Sequence, residues 1–129
     1  MRRILIDTNI YSLAMKGDED VVEVLRRVEK IGISTISIGE LLSGFKGGMR
    51  EEKNRKELDI FLDASRVAVF SVEVETTEFY AAIVNALKSQ GTPIPTNDVW
   101  IAAIAFQNGC KLFTKDKHFK NIPGLVQLS

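Results

Sequence analysis

Three apolar residues near the start of the chain, Ile4–Ile6, form a run typical of a strand that is buried on both faces. The run ends at Asp7, and Thr8–Asn9 are residues suited to opening a helix, which we expect to reach about Lys16. A strand that ends in an aspartate and continues into a helix places that carboxylate at the carboxyl edge of a parallel sheet. In open α/β sheets this edge is where ligands bind.

The remaining chain alternates helical and strand patterns, with no internal repeat and no low-complexity linker. Apolar residues at spacings of three and four between Val21 and Val28 predict a second helix, which Gly32 ends. Ser37 is a candidate cap for the helix after the next strand, with Glu40 three residues later in the capping-box position. We further predict strands at 33–36, 66–70, 111–114 and 125–128, helices at 50–64, 73–90 and 96–106, and a proline-containing loop at 91–95. Strands separated by helices indicate an α/β fold with a mainly parallel sheet of four to five strands.

Composition narrows the class of protein. The chain has 129 residues, 45% of them hydrophobic and 26% charged, as expected for one soluble globular domain. No stretch is long and apolar enough to span a bilayer, and Asp7 interrupts the first apolar run too early for a signal peptide. The single cysteine, Cys110, favours a reducing cytoplasm. A net charge of zero counts against a broad basic surface for duplex nucleic acid, although a local basic rim around an acidic site remains compatible with it.

Four carboxylates follow strands or begin helices at the same predicted edge of the sheet. They are Asp7 after the first strand, Glu40 after the second, Asp98 at the start of the buried helix and Asp116 after the fourth strand. Four such groups within a few ångströms cannot all stay ionised without compensation, and oxygen ligands of this kind suit Mg²⁺ or Mn²⁺. The usual chemistry of such a site is hydrolysis of a phosphodiester by a metal-activated water.

Each acid also has an ordinary structural interpretation. Glu40 fits a capping box, Asp98 fits an N-cap or first-turn position, and Asp116 fits a turn. Asp7 is harder to explain in this way, because an acid that ends an apolar strand has little packing purpose. The set of four on one edge, rather than any single acid, predicts the metal site.

Four short motifs, kept in order and spacing along the whole chain, resemble those of PIN-domain ribonucleases. The resemblance is greatest to the VapC toxins of bacterial and archaeal toxin–antitoxin pairs. The motifs lie at 6–9, 37–44, 97–103 and 113–119. The resemblance implies a three-layer α/β/α sandwich in which Asp7, Glu40, Asp98 and Asp116 surround Mg²⁺ or Mn²⁺. Thr114 matches the hydroxyl residue beside the last acid, and Asn9 closes the first motif as a supporting residue.

The same resemblance implies a metal-dependent RNA endonuclease. In-line attack by a metal-activated water would leave a 5′-phosphate and a 3′-hydroxyl. The resemblance further implies a homodimer that is neutralised by a cognate VapB-type antitoxin, a segment of which crosses the acidic groove in several family complexes. This chain has His118 where relatives can have an acid, which leaves the roles of Asp116 and His118 open.

The residues that contact the substrate are harder to predict from the sequence than the acidic residues of the metal site. Lys46, Lys115, Lys117 and His118 lie near the proposed site residues and are candidates for contacts with RNA phosphates. For the lysines the alternative is an ordinary solvated charge, and for His118 it is a local structural role. Trp100 lies on an apolar helix, which favours a place in the core or a dimer interface over stacking on a base.

Rival functions remain open at this point. The nearest are a housekeeping RNA-processing nuclease of the same fold and a binding module whose acids attract a basic partner without catalysis. A phosphatase of the haloacid dehalogenase type needs a second aspartate where this chain has Asn9. A phospho-accepting receiver domain needs an aspartate after the third strand, and residues 67–72 contain none.

Overall fold

The computed structural model describes residues 3–128, which form five strands, six α-helices and one 3-10 helix. The strands are β1 (Arg3–Ile6), β2 (Lys30–Ser34), β3 (Val67–Phe70), β4 (Lys111–Phe113) and β5 (Gln127–Leu128). The α-helices are α1 (Thr8–Met15), α2 (Glu19–Arg27), α3 (Thr35–Lys46), α4 (Glu51–Asp63), α5 (Val74–Gln90) and α6 (Thr96–Asn108), and the 3-10 helix spans Lys117–Asn121.

All five strands are parallel and lie in the order β3-β2-β1-β4-β5. The first strand therefore lies at the centre, paired with β2 on one side and β4 on the other. Because every strand points the same way, the segments that follow β1, β2 and β4 emerge side by side at one edge. The predicted parallel α/β sheet is confirmed.

Helices cover both faces of the sheet, so the fold has three layers. Alternate residues of β1 point to opposite faces: Leu5 packs with α5 and α6, whereas Ile4 and Ile6 pack with α1, α2 and α4. All three side chains are essentially inaccessible to solvent, as the uninterrupted apolar run predicted. The chain between residues 3 and 128 contains no helix long and apolar enough to cross a membrane.

The predicted boundary around β2 is wrong. Gly32 was expected to end α2, but it lies inside β2, and α2 already ends at Arg27. A Cβ atom at position 32 would collide with the ring of Phe70 on the neighbouring strand, so glycine serves a close approach here rather than a helix stop.

The caps of two helices also differ from the sequence prediction. The cap of α3 is Ser34 rather than Ser37: the Ser34 Oγ accepts a hydrogen bond from the Ser37 N–H at 3.0 Å. At α1 the cap is Asp7, whose Oδ1 accepts from the Ile10 N–H at 2.9 Å, so Thr8 and Asn9 are already helical. In both cases the last polar side chain at the strand end supplies the cap.

The charged segment after α3 is a helix that packs on one side. Leu58 of α4 is buried, and Phe61 and Leu62 pack against the same core cluster, while the other faces of α4 are exposed. Glycines end two other helices: Gly91 after α5 and Gly109 after α6 adopt left-handed φ values of 71° and 63°.

Candidate metal centre

Asp7 lies at the centre of the carboxyl edge and is 4% exposed. Its Oδ1 caps α1, and its Oδ2 accepts a hydrogen bond from the Thr114 hydroxyl at 2.5 Å. Thr114 directly follows β4, the strand next to β1, so the sheet register itself brings these two residues together. The Thr114 hydroxyl in turn accepts from the Asp116 backbone N–H at 2.9 Å, which links Asp7 to the fourth acid of the set.

Glu40 reaches the same edge from the second turn of α3. Its Oε1 accepts from the Thr8 hydroxyl at 2.5 Å and its Oε2 accepts from the Asn97 side-chain amide at 3.2 Å. These two bonds tie α3 to the starts of α1 and α6. The capping-box interpretation of Glu40 is wrong, because α3 begins at Thr35 and is capped by Ser34.

Asp98 and Asp116 come together around the only histidine of the chain. The Nδ1 atom of His118 lies 3.3 Å from Asp116 Oδ1 and 3.7 Å from Asp98 Oδ2. Asp98 occupies the first turn of α6, and Asp116 caps the 3-10 helix by accepting from the His118 backbone N–H. One ligand atom of each of the three residues lies within 4.8 Å of the others.

The charges of Glu40 and Asp116 act on both of the other acids, Asp7 and Asp98. Burial raises the pKa of Asp7, the hydrogen bonds from Thr114 and Ile10 lower it, and the charges of Asp116 and Glu40 raise it further. Burial also raises the pKa of Asp98, as do the charges of Asp116 and Glu40, while His118 acts in the opposite direction. The pKa values of both groups stay raised, so the hydrogen bonds and His118 offset the cost of the negative charge at this edge only in part.

The residues present fit a divalent cation. Within residues 3–128 no lysine or arginine nitrogen lies within 4.0 Å of Asp7, Glu40, Asp98 or Asp116. Carboxylate oxygens are the preferred ligands of Mg²⁺ and Mn²⁺, and the positive charge of such an ion would offset the mutual repulsion of the acids. The imidazole of His118 adds a nitrogen donor on the open side of the group.

A comparison with protein-family models decides the family. The model of the PIN domain matches residues 4–125, which is nearly the whole chain. The chain belongs to the PIN domain family. The PIN-type three-layer fold expected from the sequence is therefore confirmed.

This PIN domain is similar in sequence and in structure to VapC ribonucleases. It is 33% identical over 127 residues to ribonuclease VapC2 of Rickettsia felis, covering 95% of this chain and 93% of that protein. It superposes with a TM-score of 0.87 on the crystal structure of VapBC2 from Rickettsia felis bound to a promoter DNA fragment, at 30% identity and with 99% and 98% of the two chains covered. The VapBC-1 structure from nontypeable Haemophilus influenzae gives the same TM-score of 0.87 at 28% identity, covering 100% and 98% of the two chains.

The other predicted residues of this PIN domain lie outside the acid group. Asn9 is exposed, and its side chain forms no hydrogen bond with any part of the chain between residues 3 and 128. Lys46 forms an exposed ion pair with Glu51 at 3.7 Å. Lys115 and Lys117 are exposed on either side of Asp116. Trp100 is half-buried and stacks on Tyr80, with ring centroids 3.9 Å apart.

Sequence reasoning missed Thr8 and Asn97, the two donors that hold Glu40. Each directly adjoins a predicted acid, Thr8 after Asp7 and Asn97 before Asp98, and each lies at the start of a predicted helix. Their position beside the acids was the available signal. Their shared partner on a third helix is a tertiary contact that the spacing of residues does not reveal.

Proposed function

We propose that this PIN domain is a metal-dependent endoribonuclease and the toxin of a type II toxin–antitoxin pair. The observation that carries the proposal is the convergence of Asp7, Glu40, Asp98 and Asp116 at one edge of the sheet, where no lysine or arginine nitrogen of residues 3–128 lies within 4.0 Å of them. Similarity to VapC ribonucleases over nearly the full length supports RNA as the substrate. The reaction adds water across a phosphodiester and leaves a 5′-phosphate and a 3′-hydroxyl.

Asp98 and Asp116 are the proposed principal ligands of Mg²⁺ or Mn²⁺, with His118 at their side and Asp7 completing the set. When bound, the ion supplies positive charge that polarises the scissile phosphate and lowers the pKa of the attacking water. Asp7 is held by Thr114 and by the start of α1, so its carboxylate keeps one orientation. Glu40 is oriented by Thr8 and Asn97 and can accept a proton from the water.

The partner is proposed to be a VapB-type antitoxin. The similar proteins of known structure from Rickettsia felis and Haemophilus influenzae are VapBC assemblies, and the first is bound to promoter DNA. We propose by analogy a homodimer that acts in the cytoplasm and is kept inactive by its antitoxin. Lys115 and Lys117, which flank Asp116, are proposed to contact phosphates of the RNA.

The test is cleavage of a panel of tRNA, ribosomal RNA and single-stranded oligonucleotides with Mg²⁺, Mn²⁺ or EDTA. Wild type and Asp7→Asn are compared with Asp63→Asn, which changes an exposed acid at the end of α4. We expect metal-dependent cutting by wild type and by Asp63→Asn, and its loss in Asp7→Asn. A fully active Asp7→Asn protein, or cutting that persists in EDTA, would contradict the proposal.

A further inference from the structure

A second polar groove lies outside the carboxylate site, between α1, α3 and α4, with a volume of about 380 Å³. Six of its lining side chains carry hydrogen-bond donors: Tyr11, Ser12, Lys16, Arg50, Lys53 and Asn54. Glu57 is the only carboxylate that lines it. A lining with three cations, three neutral donors and one carboxylate is complementary to an anionic ligand that is rich in acceptors.

The cations of the groove differ from their neighbours in having no ionic partner. Within residues 3–128 no carboxylate oxygen lies within 4.0 Å of the charged nitrogens of Lys16, Arg50 or Lys53. The cations just outside the groove are all paired: Lys46 with Glu51 at 3.7 Å, Arg55 with Glu51 at 3.9 Å and Lys56 with Glu52 at 3.6 Å. Within this short stretch of chain, glutamates therefore pair with Lys46, Arg55 and Lys56, whereas Arg50 and Lys53 remain available to a ligand.

Tyr11 adds a neutral donor at the base of the groove. It is 2% exposed, and its hydroxyl has no hydrogen-bond partner in the part of the chain that the structure describes. Burial, together with the nearby charge of Glu57, raises the pKa of Tyr11 to about 12, so the hydroxyl keeps its proton at neutral pH. A buried donor without an acceptor is uncommon in folded proteins.

One face of α1 leads from the carboxylate site into this groove. Thr8, which holds Glu40, is followed at spacings of three, four and seven residues by Tyr11, Ser12 and Met15. Residues at these spacings lie along the same side of a helix. The groove therefore begins about one helical turn, or roughly 5 Å, from a residue of the carboxylate site.

We propose that this groove binds the phosphodiester backbone of the RNA strand whose scissile phosphate lies at the carboxylate site. The inference rests on the proposed function and extends it by naming a second contact surface on the same substrate. Tyrosine, serine, asparagine, lysine and arginine are the side chains that commonly contact nucleic-acid phosphates. An acidic protein helix would need a broad apolar stripe to dock, and among the side chains that line the groove only Met15, Phe45 and the ring of Tyr11 are apolar.

A pair of double variants on α4 tests the proposal. Arg50→Ala/Lys53→Ala removes two unpaired cations of the groove, and Arg55→Ala/Lys56→Ala removes two paired cations of the same helix as a matched control. The Arg50 side chain makes no capping hydrogen bond, so its loss leaves the start of α4 intact. Both variants are first compared with wild type by circular dichroism and thermal unfolding.

Binding is measured by fluorescence anisotropy with a labelled 20-nucleotide single-stranded RNA, in an Asp7→Asn background so that the probe stays intact. We expect the groove variant to weaken binding at 50 mM salt by roughly 10- to 100-fold. We also expect a smaller salt dependence. The slope of log affinity against log salt concentration should decrease in magnitude by about 1.4, because each of the two lost phosphate contacts contributes about 0.7 on single strands. The control variant should change both quantities much less.

A second measurement separates binding from chemistry. With Asp7 intact, the groove variant should raise KM for the long RNA while leaving kcat nearly unchanged. Equal RNA affinities and equal salt slopes for the two double variants, with wild type still cutting RNA in a metal-dependent manner, would overturn the proposed role of the groove and leave the proposed function standing. Failure of wild type to bind or cut any RNA would instead overturn the proposed function.

Discussion

The two halves of the carboxylate site are built differently. In the bonded half, Asp7 and Glu40, each of the four carboxylate oxygens accepts a hydrogen bond from the protein, through Ile10, Thr114, Thr8 and Asn97. In the open half, Asp98 and Asp116 face His118, whose backbone N–H donates to Asp116 Oδ1 and whose imidazole Nδ1 lies 3.7 Å from Asp98 Oδ2. Hydrogen bonds from the protein therefore fix the carboxylates of the bonded half, whereas the carboxylates of the open half keep more lone pairs that are free to bind a ligand.

This difference indicates a division of labour. An ionised carboxylate has about four acceptor positions, so Asp7 and Glu40 are fixed in direction by their protein donors and still retain unused lone pairs. Asp98 and Asp116 keep more of theirs, which are available to a cation. In the proposed metal site, the bonded half would supply orientation and negative charge, and the open half would supply most of the ligands of the cation.

The largest expected effect is in the open half. Replacing Asp98 and Asp116 together by asparagine should reduce metal-dependent RNA cleavage on the order of 10³-fold or more, because a metal in such a site contributes several kcal/mol to the transition state. Cleavage rates at saturating Mn²⁺ are the measurement, with Asp63→Asn as the control. A double variant that retains wild-type rates would mean that the open half does not serve the reaction.

In the bonded half, Thr114→Val should lower activity by roughly 10- to 100-fold, the usual cost of removing a group that orients a metal-site ligand. It should also lower the free energy of unfolding by about 1–3 kcal/mol, because the buried Asp7 loses its donor. Thr114→Ser keeps the hydroxyl and should restore most of both. If valine and serine behave alike in kinetics and in denaturant unfolding, the hydroxyl has no role in holding Asp7.

Thr8→Val tests the other acid of the bonded half and should cost less, roughly 10-fold in kcat. The effect is smaller because Asn97 still holds the second oxygen of Glu40. The double variant Thr8→Val/Asn97→Ala frees both oxygens and should cost more than either single change. The comparison is made by measuring kcat and KM of Thr8→Val, Asn97→Ala and the double variant on one RNA substrate. A double variant as active as Thr8→Val alone would argue against a role of Thr8 and Asn97 in positioning Glu40.

The smallest expected effect is on the stability of the metal-free protein as the pH changes. The pKa values of Asp7 and Asp98 are raised above the ordinary value of 3.8, so between that value and the raised one the folded state binds more protons than the unfolded state. These two groups therefore make the folded state more stable as the pH falls through this window, and less stable as the pH rises through it.

Asp98→Asn removes one of these groups. In EDTA at pH 7 we expect its Tm to exceed that of wild type by a few degrees, and the difference to shrink as the pH falls from 7 toward 4. Thermal unfolding across that range measures it, with Asp63→Asn as the control. A difference that stays constant with pH would show that the charge of Asp98 is not destabilising.

The position of the bonded half was predictable from the sequence, but the hydrogen bonds that hold Glu40 were not. The Ile4–Ile6 run placed Asp7 at a strand end, and the alternation of helices and strands placed the other acids at the same edge. The bonds from Thr8 and Asn97 to Glu40 join residues 32 and 57 positions apart, and no local pattern encodes them. Gly32 was interpreted wrongly as a helix end. The sequence alone does not distinguish a glycine that ends a helix from one that makes room for a neighbouring ring.

The open half was predicted less well for a related reason. The sequence placed Asp98 and Asp116 at the right edge, but it did not place His118 between them, because that contact depends on a 3-10 helix that folds His118 back onto the preceding aspartate. The helical and strand periodicities that guided the prediction do not describe so short a turn.

The most direct test of the two-half account is a Mn²⁺ titration followed by electron paramagnetic resonance, free of any RNA. Wild type, Asp98→Asn, Thr8→Val and Asp63→Asn are compared. The account predicts that Asp98→Asn weakens Mn²⁺ binding at least 10- to 100-fold, whereas Thr8→Val weakens it far less and Asp63→Asn not at all. Equal Mn²⁺ affinity in wild type and Asp98→Asn would contradict the account, because the open half would then not hold the metal.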